Sequence, residues 1–311
     1  MNIQSCGSEI RKKTAMALAI SLVASTAAAQ QTDRFTVSGY GELGAEYNSN
    51  VSITELESAT GESDTAAVLD AGLDLSWSVT ERLNADAGYS YSSSSYRNFD
   101  DFDLDLHLLY GDLSYEFDAL TLGTSINHAD ARLAGDDFLT LDQYSLYAGK
   151  LLGDQWYLRG ALNFSDKSFE GFSERDADVE GLGIDAFWFF NDGRSTLVFS
   201  YAYDDETAAS SQFSYDANTV RMRYTNSLVF ASKDAEFQLG LRLQDRNYKG
   251  LTPAISARRD DQQAVAEAQF ELSLYEHLAI ITRLEHGAYQ SNLSSADYDE
   301  TRASLAVQLS F

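Results

Sequence analysis

Beyond Cys6 the 311-residue chain has no cysteine, and it holds a single proline, Pro253. After residue 29 no stretch approaches the roughly 18 consecutive apolar residues that a membrane helix needs. Each scarcity excludes something. A chain from residue 30 onward without cysteine has neither a disulfide nor thiolate chemistry, and one without a long apolar run does not cross a bilayer as a helix. Basic residues are also scarce, 22 Lys and Arg against 48 Asp and Glu, a formal net charge of −26. Such a surface repels a phosphate backbone, which excludes nucleic-acid binding. The four histidines, His107, His128, His277 and His286, show no paired metal-ligand spacing such as His-x-x-x-His, and neither a metal nor a cofactor is expected.

What is present first is an export signal. Arg11, Lys12 and Lys13 precede an apolar stretch from Ala15 to Val23, and Ala27-Ala28-Ala29 closes it before Gln30. The pattern predicts a signal peptide over 1–29, cleaved after Ala29, and one domain over 30–311. Cys6 precedes the apolar stretch instead of following it at the cleavage point, which disfavours a lipoprotein. Removing residues 1–29 takes away Arg11, Lys12, Lys13 and Glu9, so 19 basic and 47 acidic residues remain, a net charge of −28.

The remainder is rich in strand formers, with 18 Tyr and 17 Phe in the whole chain, and nearly free of strand breakers. Alternation with period two runs throughout. Phe237, Leu239, Leu241 and Leu243 interleave with Glu236, Gln238, Gly240, Arg242 and Gln244. Leu197, Phe199, Tyr201 and Tyr203 do so with Thr196, Val198, Ser200 and Ala202, and Leu69, Leu73, Leu75 and Trp77 lie opposite Asp70, Gly72, Asp74 and Ser76. One face suits lipid and the other water. About fourteen strands are expected, near residues 34–48, 64–78, 82–94, 102–117, 119–131, 140–152, 155–168, 176–190, 195–206, 214–230, 235–249, 260–275, 277–290 and 297–311. Short turns at Thr80-Glu81, Gly153-Asp154, Asn191-Asp192-Gly193 and Glu276 alternate with longer polar connections at 49–63, 132–139, 207–213 and 250–259. An all-β, antiparallel, up-and-down transmembrane barrel with short periplasmic turns, longer external loops and both termini periplasmic follows.

The final strand alternates Ala303, Leu305, Val307, Leu309 and Phe311 with Arg302, Ser304, Ala306, Gln308 and Ser310. It resembles the terminal strand of Gram-negative outer-membrane proteins, and the resemblance implies that the barrel-assembly machinery reads Phe311. Two strands read less evenly. Phe102, Leu104, Leu106 and Leu108 change phase to Leu109, Leu113, Tyr115 and Phe117, which predicts a bulge near Leu108. Gly181 and Gly183 share a face with Phe187 and Phe189, which predicts close packing there.

With polar faces inward, charge separates along the chain. An acidic wall is expected from Glu42, Glu46, Asp70, Asp74, Asp86, Asp103 and Asp105, and a basic wall from Arg159, Arg221, Arg223, Arg242, Arg246, Arg283 and Arg302. Opposed walls set a transverse field across a pore; the same residues would equally serve as ion pairs knitting a narrow lumen. Arg302 is expected to meet Glu42 or Glu46 at the closing seam. Two histidines invite a hydrolase reading, His128 with Asp130 and His286 with Ser291, but both fall on the lipid-facing set, and no enzyme is expected. Asp100-Asp101-Asp103, Asp136-Asp137, Asp204-Asp205-Glu206 and Asp260-Asp261 are expected in loops, in solvent or bridged through divalent ions to lipopolysaccharide.

Tyr47-Asn48-Ser49-Asn50-Val51, Arg258-Arg259-Asp260-Asp261 and Asp297-Tyr298-Asp299-Glu300-Thr301-Arg302-Ala303-Ser304-Leu305 resemble segments of the surface lipoprotein assembly modifier family. The resemblance implies a fourteen-stranded barrel that helps lipoproteins reach the cell surface. That family's periplasmic helical-repeat domain is not expected here, because only Gln30 to Asp33 separate the expected cleavage site from the first expected strand. Two functions therefore stand as expectations: a porin-like outer-membrane channel for small hydrophilic solutes, or an export barrel working with a separate periplasmic partner. Outer-membrane lipid and lipopolysaccharide are the expected surroundings in either case.

Overall fold

The computed structural model describes residues 34–311, so the expected signal peptide and its cleavage point lie outside the described residues. No described helix is long and apolar enough to cross a membrane. The strands are β1 (Phe35–Asn48), β2 (Ser52–Ile53), β3 (Ser58–Ala59), β4 (Asp64–Ser78), β5 (Leu83–Tyr96), β6 (Leu104–Glu116), β7 (Thr121–Leu133), β8 (Asp136–Leu152), β9 (Trp156–Phe169), β10 (Ala177–Phe190), β11 (Ser195–Ala208), β12 (Tyr215–Phe230), β13 (Lys233–Thr252), β14 (Ala257–Tyr275), β15 (Leu278–Ser291) and β16 (Tyr298–Ser310). Fourteen of them close an antiparallel barrel in chain order, and β2 pairs with β3 in a hairpin of its own. Closure joins β1 to β16 from Tyr40↔Ser310 to Asn48↔Arg302. Phe311 continues the seam, exchanging backbone hydrogen bonds of 2.9 and 3.0 Å with Gly39.

The distribution of apolar and charged groups is inverted relative to a protein folded in water. Leu43, Leu146, Leu305 and Leu309 are 58–66% exposed on the outside, whereas Glu42, Glu271 and Glu300 are 2–3% exposed on the inside. Burial of apolar surface drives folding only if something apolar covers that belt, and a bilayer does so. The backbone groups of the strands are paired around the ring, so no sheet edge faces lipid. Rings gather toward the end that carries Phe35 and Phe311, hereafter the base. Trp156 and Trp188 stack there at 5.6 Å, and Trp188 stacks on Phe190 at 4.5 Å.

Base turns are short, at 79–82, 117–120, 153–155, 191–194, 231–232 and 276–277. At the opposite end, the mouth, the connections are tighter than the polar stretches suggested. The expected loop 132–139 shrinks to Ala134-Gly135, because β8 begins at Asp136; 250–259 becomes 253–256, with Pro253 in the turn; 207–213 becomes 209–214. Only 49–63 is long, and it carries β2, β3 and a 3-10 turn over Thr54–Leu56.

The bulge expected near Leu108 does not form. The register of β5 with β6 and of β6 with β7 runs unbroken through that residue. Leu104 and Leu106 point inward instead and pack on the loop 49–63. Alternation then carries Asp105 and His107 to the outside, beside Tyr91 and Tyr89. The packing expected in β10 is present, with Phe187 and Phe189 buried inside the base against Tyr157 and Val198.

Candidate functional site: the barrel interior and its mouth

Four interior tyrosines lie flat on glycines of the neighbouring strand: Tyr40 on Gly72, Tyr110 on Gly88, Tyr147 on Gly123 and Tyr157 on Gly149. A Cβ at any of these glycines would fall 1.9–2.2 Å from the ring or its hydroxyl. The absent side chain lets each ring rest on the wall rather than project across the lumen. Tyr110 donates to Asp74 at 2.7 Å and Tyr147 to Asp112 at 2.8 Å, which fixes the rings by their hydroxyls.

Of the proposed acidic wall, Glu42, Glu46, Asp70, Asp74 and Asp86 face inward on β1, β4 and β5. Asp103 and Asp105 do not. Asp103 ends a 3-10 turn at the rim and accepts the Tyr96 N–H at 2.6 Å, while Asp105 is turned outward and accepts from Tyr91 at 2.8 Å. Both were assigned inward because Leu104 and Leu106 were read as lipid-facing; the inserted loop gives those leucines an apolar partner inside. Asp112, across from Asp86 in the register, also faces inward and extends the acidic wall. All seven arginines of the proposed basic wall face inward, on β9, β12, β13, β15 and β16. With fourteen strands in the ring, β12 and β13 lie across it from β5 and β6.

Some of these charges are consumed by pairing. Glu42, with a 1% exposed side chain, takes both terminal nitrogens of Arg283, the second at 2.8 Å, and Arg283 also donates to Gln269 at 3.1 Å. Arg159 meets Asp185 at 2.8 Å and Arg223 meets Glu267 at 3.1 Å. The seam contact expected for Arg302 is not made with Glu42 or Glu46. Arg302 binds Glu300, two residues back on its own strand, at 2.6 Å. Arg221 and Arg242 sit directly opposite each other in the β12–β13 register, and among the described residues neither has an ion pair within 4 Å. Like charges directly across a ladder destabilise it unless water or an anion screens them. Replacing Glu42 with Gln is expected to cost about 2–4 kcal/mol, because it strips a bidentate partner from an interior guanidinium. Thermal unfolding in detergent reads this as a lower midpoint.

The loop 49–63 is expected from the sequence only as a long external connection. It turns inward and lies across the mouth. Val51 is fully buried. Ile53 forms a buried cluster with Ala131, Phe138 and Phe169, and Leu56 packs against it together with Leu104, Leu106, Leu133 and Leu139 on the inner wall of β6 to β8 and Phe102 in the turn before β6. On the far side, the Glu57 carboxylate meets Arg259 at 2.5 Å, the Tyr248 hydroxyl at 2.6 Å, Arg175 at 3.3 Å and Arg246 at 3.9 Å. The tip thus bridges opposite walls. Burial alone would push the Glu57 carboxyl up, but the Arg259 charge, the hydrogen bonds from Arg259 and Tyr248, and Arg175 outweigh it and hold the carboxyl below the usual glutamate range.

The root of the loop is fixed at the seam. Glu300, 3% exposed, accepts from Asn48 at 2.6 Å, Ser52 at 2.9 Å and Arg302 at 2.6 Å. Asn50 donates to the Asp299 carbonyl at 3.0 Å, and the Thr301 N–H donates to Ser49 at 2.8 Å. Arg259 forks onto Asp261 at 2.8 and 2.5 Å. The three segments that resemble the lipoprotein modifiers therefore converge on this loop.

The histidine pairings expected of a hydrolase are not formed. His128 meets Asp142 at 2.8 Å rather than Asp130, and His286 meets Thr301 at 2.9 Å rather than Ser291, which donates to Asp261. Alternation also divides Asp204-Asp205-Glu206. Asp205 binds Lys249 on the outside at 2.5 Å and Glu206 binds Lys167 on the inside at 2.6 Å, so the run belongs to a strand and not a loop.

No family model and no curated relative matches the chain. Solved structures do. The anion-selective porin from Comamonas acidovorans is 10% identical with a TM-score of 0.53, over 89% of this chain and 99% of that one. OmpT folded in vitro, an outer membrane protein of Vibrio cholerae, is 10% identical with a TM-score of 0.52, over 92% and 100%. The outer membrane channel DcaP of Acinetobacter baumannii is 11% identical with a TM-score of 0.51, over 92% and 100%. At such identity the likeness speaks for architecture alone, and it does not extend the resemblance to the lipoprotein modifiers. The chain has the closed, antiparallel barrel fold of outer-membrane proteins.

Proposed function

We propose that the protein is a porin-like channel of the Gram-negative outer membrane, passing small hydrophilic solutes passively, with its base in the periplasm and its mouth outside. The observation that carries this reading is the charged inner face, in which Arg221 and Arg242 are left without ion pairs while loop 49–63 rather than a separate domain covers the mouth. A purely structural lumen would pair or omit such charges, since an unscreened interior charge is costly. Water reaching these arginines resolves the cost and makes them the anion-attracting side of the passage. No catalytic role is assigned.

In a planar bilayer under a salt gradient, the refolded protein is expected to show stable conductance steps. Changing Arg221 and Arg242 together to Gln should shift the reversal potential toward cations. A folded barrel that never conducts, even with its loop shortened, would refute the reading.

A second reading has one observation in its favour, the convergence of the three modifier-like segments on the mouth. In it the barrel exports lipoproteins with a separate periplasmic partner. Unchanged surface lipoproteins in a deletion strain would remove it. Under either reading Phe311, paired to Gly39 at the seam, is the residue offered to the assembly machinery, and lipopolysaccharide surrounds the mouth.

A further inference from the structure

The Glu57 carboxylate is held as a bound anion is held. Three guanidinium groups and a phenol converge on it from three separate elements: Arg175 from the 3-10 turn Ser173–Arg175, Arg246 and Tyr248 from β13, and Arg259 from β14. Much of the receptor is built independently of its occupant, with Arg175 also donating to the Glu55 carbonyl of the loop at 3.1 Å. Arg259 is 4% exposed, forks onto Asp261, and stacks over the Tyr248 ring at 4.7 Å; Asp261 is held in turn by Ser291 at 2.6 Å. Arg246 stacks over Tyr215 at 5.0 Å and Arg175 over Phe213 at 4.2 Å. Among the described residues, Glu57 is the one carboxylate within 4 Å of Arg175 and of Arg246. Without it the cluster keeps three positive charges against the single negative charge of Asp261.

The occupant is delivered under strain. Glu57 has φ = 54°, the left-handed region that favours glycine, at the end of the 3-10 turn. A non-glycine residue there costs about 1–2 kcal/mol. Glycine would relieve the backbone and lose the carboxylate.

We infer that Arg175, Arg246, Arg259 and Tyr248 form an oxyanion-binding site at the mouth, that Glu57 fills it as a tethered ligand, and that a small multiply charged oxyanion of the phosphate type competes for it. A fork of guanidinium groups suits a planar or tetrahedral oxyanion, and a second negative charge on the ligand offsets the tethering advantage of the loop. Seating the ligand frees the tip of 49–63 on its polar side. That consequence rests on the channel reading, whereas the binding does not.

The test is calorimetric titration of inorganic phosphate into the full barrel in detergent, at fixed ionic strength and pH 7.5, for the wild type, Glu57→Gln and Glu57→Gln with Arg175→Gln. Glu57→Gln is expected to bind phosphate at least tenfold more tightly than the wild type, and the added Arg175→Gln to remove the gain. Equal binding by wild type and Glu57→Gln overturns the site, whether or not either conducts. Barrel folding is checked by the heat-dependent shift in gel migration. In the wild type itself, phosphate should speed chymotrypsin cleavage after Leu56 relative to chloride at equal ionic strength. An unchanged rate up to 100-fold the Glu57→Gln dissociation constant also overturns the proposal.

Discussion

Neutralising Glu57 is expected to raise the mean conductance of the barrel several-fold. The tip of loop 49–63 is held on one side by Ile53 and Leu56 in an apolar patch and on the other by one carboxylate among three arginines. Burying the two apolar side chains contributes about 1.5–3 kcal/mol each at most. Removing the carboxylate leaves Arg175 and Arg246 without a carboxylate within 4 Å among the described residues and Arg259 with Asp261 alone, at about 3–5 kcal/mol if they stay dry. The barrel wall cannot rearrange to relieve this, since its strands are paired on both sides. The loop can, by withdrawing and admitting water. Glu57→Gln should therefore raise the mean single-channel conductance several-fold, measured in a planar bilayer, while Glu57→Asp should give an intermediate value because its shorter arm reaches fewer of the guanidinium groups.

Acid should open the same gate. The charged and titratable groups around Glu57 are Arg175 from its 3-10 turn, Arg246 and Tyr248 from β13, and Arg259 with Asp261 from β14, while Tyr289 of β15 and Tyr298 of β16 line the same cleft. The arginines remain charged throughout, and of the two carboxylates only Glu57 belongs to the loop, so its protonation is the change that releases the tip. Its docked pKa lies below the ordinary value. A depressed carboxyl contributes stability above its ordinary pKa, about 4.3, and loses it as the pH falls through the docked value. The loop is thus expected to hold at neutral pH and to release only as the pH falls below the ordinary glutamate range. Conductance recorded against external pH should rise on that limb in the wild type and stay flat in Glu57→Gln. A wild type that closes in acid would show that another group controls the mouth.

Much of the barrel was legible in the sequence because lipid on one side and water on the other impose a strict period of two. The fourteen strands and the short base turns at Gly153-Asp154 and Asn191-Asp192-Gly193 follow from it. The interior direction of Glu42, Asp70, Arg221 and Arg242 follows as well. The error at β6 came from applying that rule where its premise fails. Leu104 and Leu106 face inward because Ile53 and Leu56 meet them there, so the apparent change of phase at Leu108 was the receiving surface of an inserted loop, not a bulge. Its complement was visible too, in the apolar Val51, Ile53 and Leu56 spaced through a connection far longer than a turn requires. What no local pattern could show is which partners the register brings together. Glu300 under Asn48 and Ser52, and Glu57 against Arg259, depend on segments distant in sequence.

The most direct measurement is uptake of a small sugar by liposomes containing the refolded barrel, with and without residues 52–59 replaced by a two-residue Gly-Ser turn. The Thr60 N–H donates to the Val51 carbonyl at 2.9 Å, so the replacement removes the tip without straining the ends. The structure predicts faster uptake than in protein-free vesicles for the intact chain, and several-fold faster uptake still for the shortened one. A shortened barrel that is folded yet no more permeable than bare lipid would contradict the account of a loop-stoppered channel.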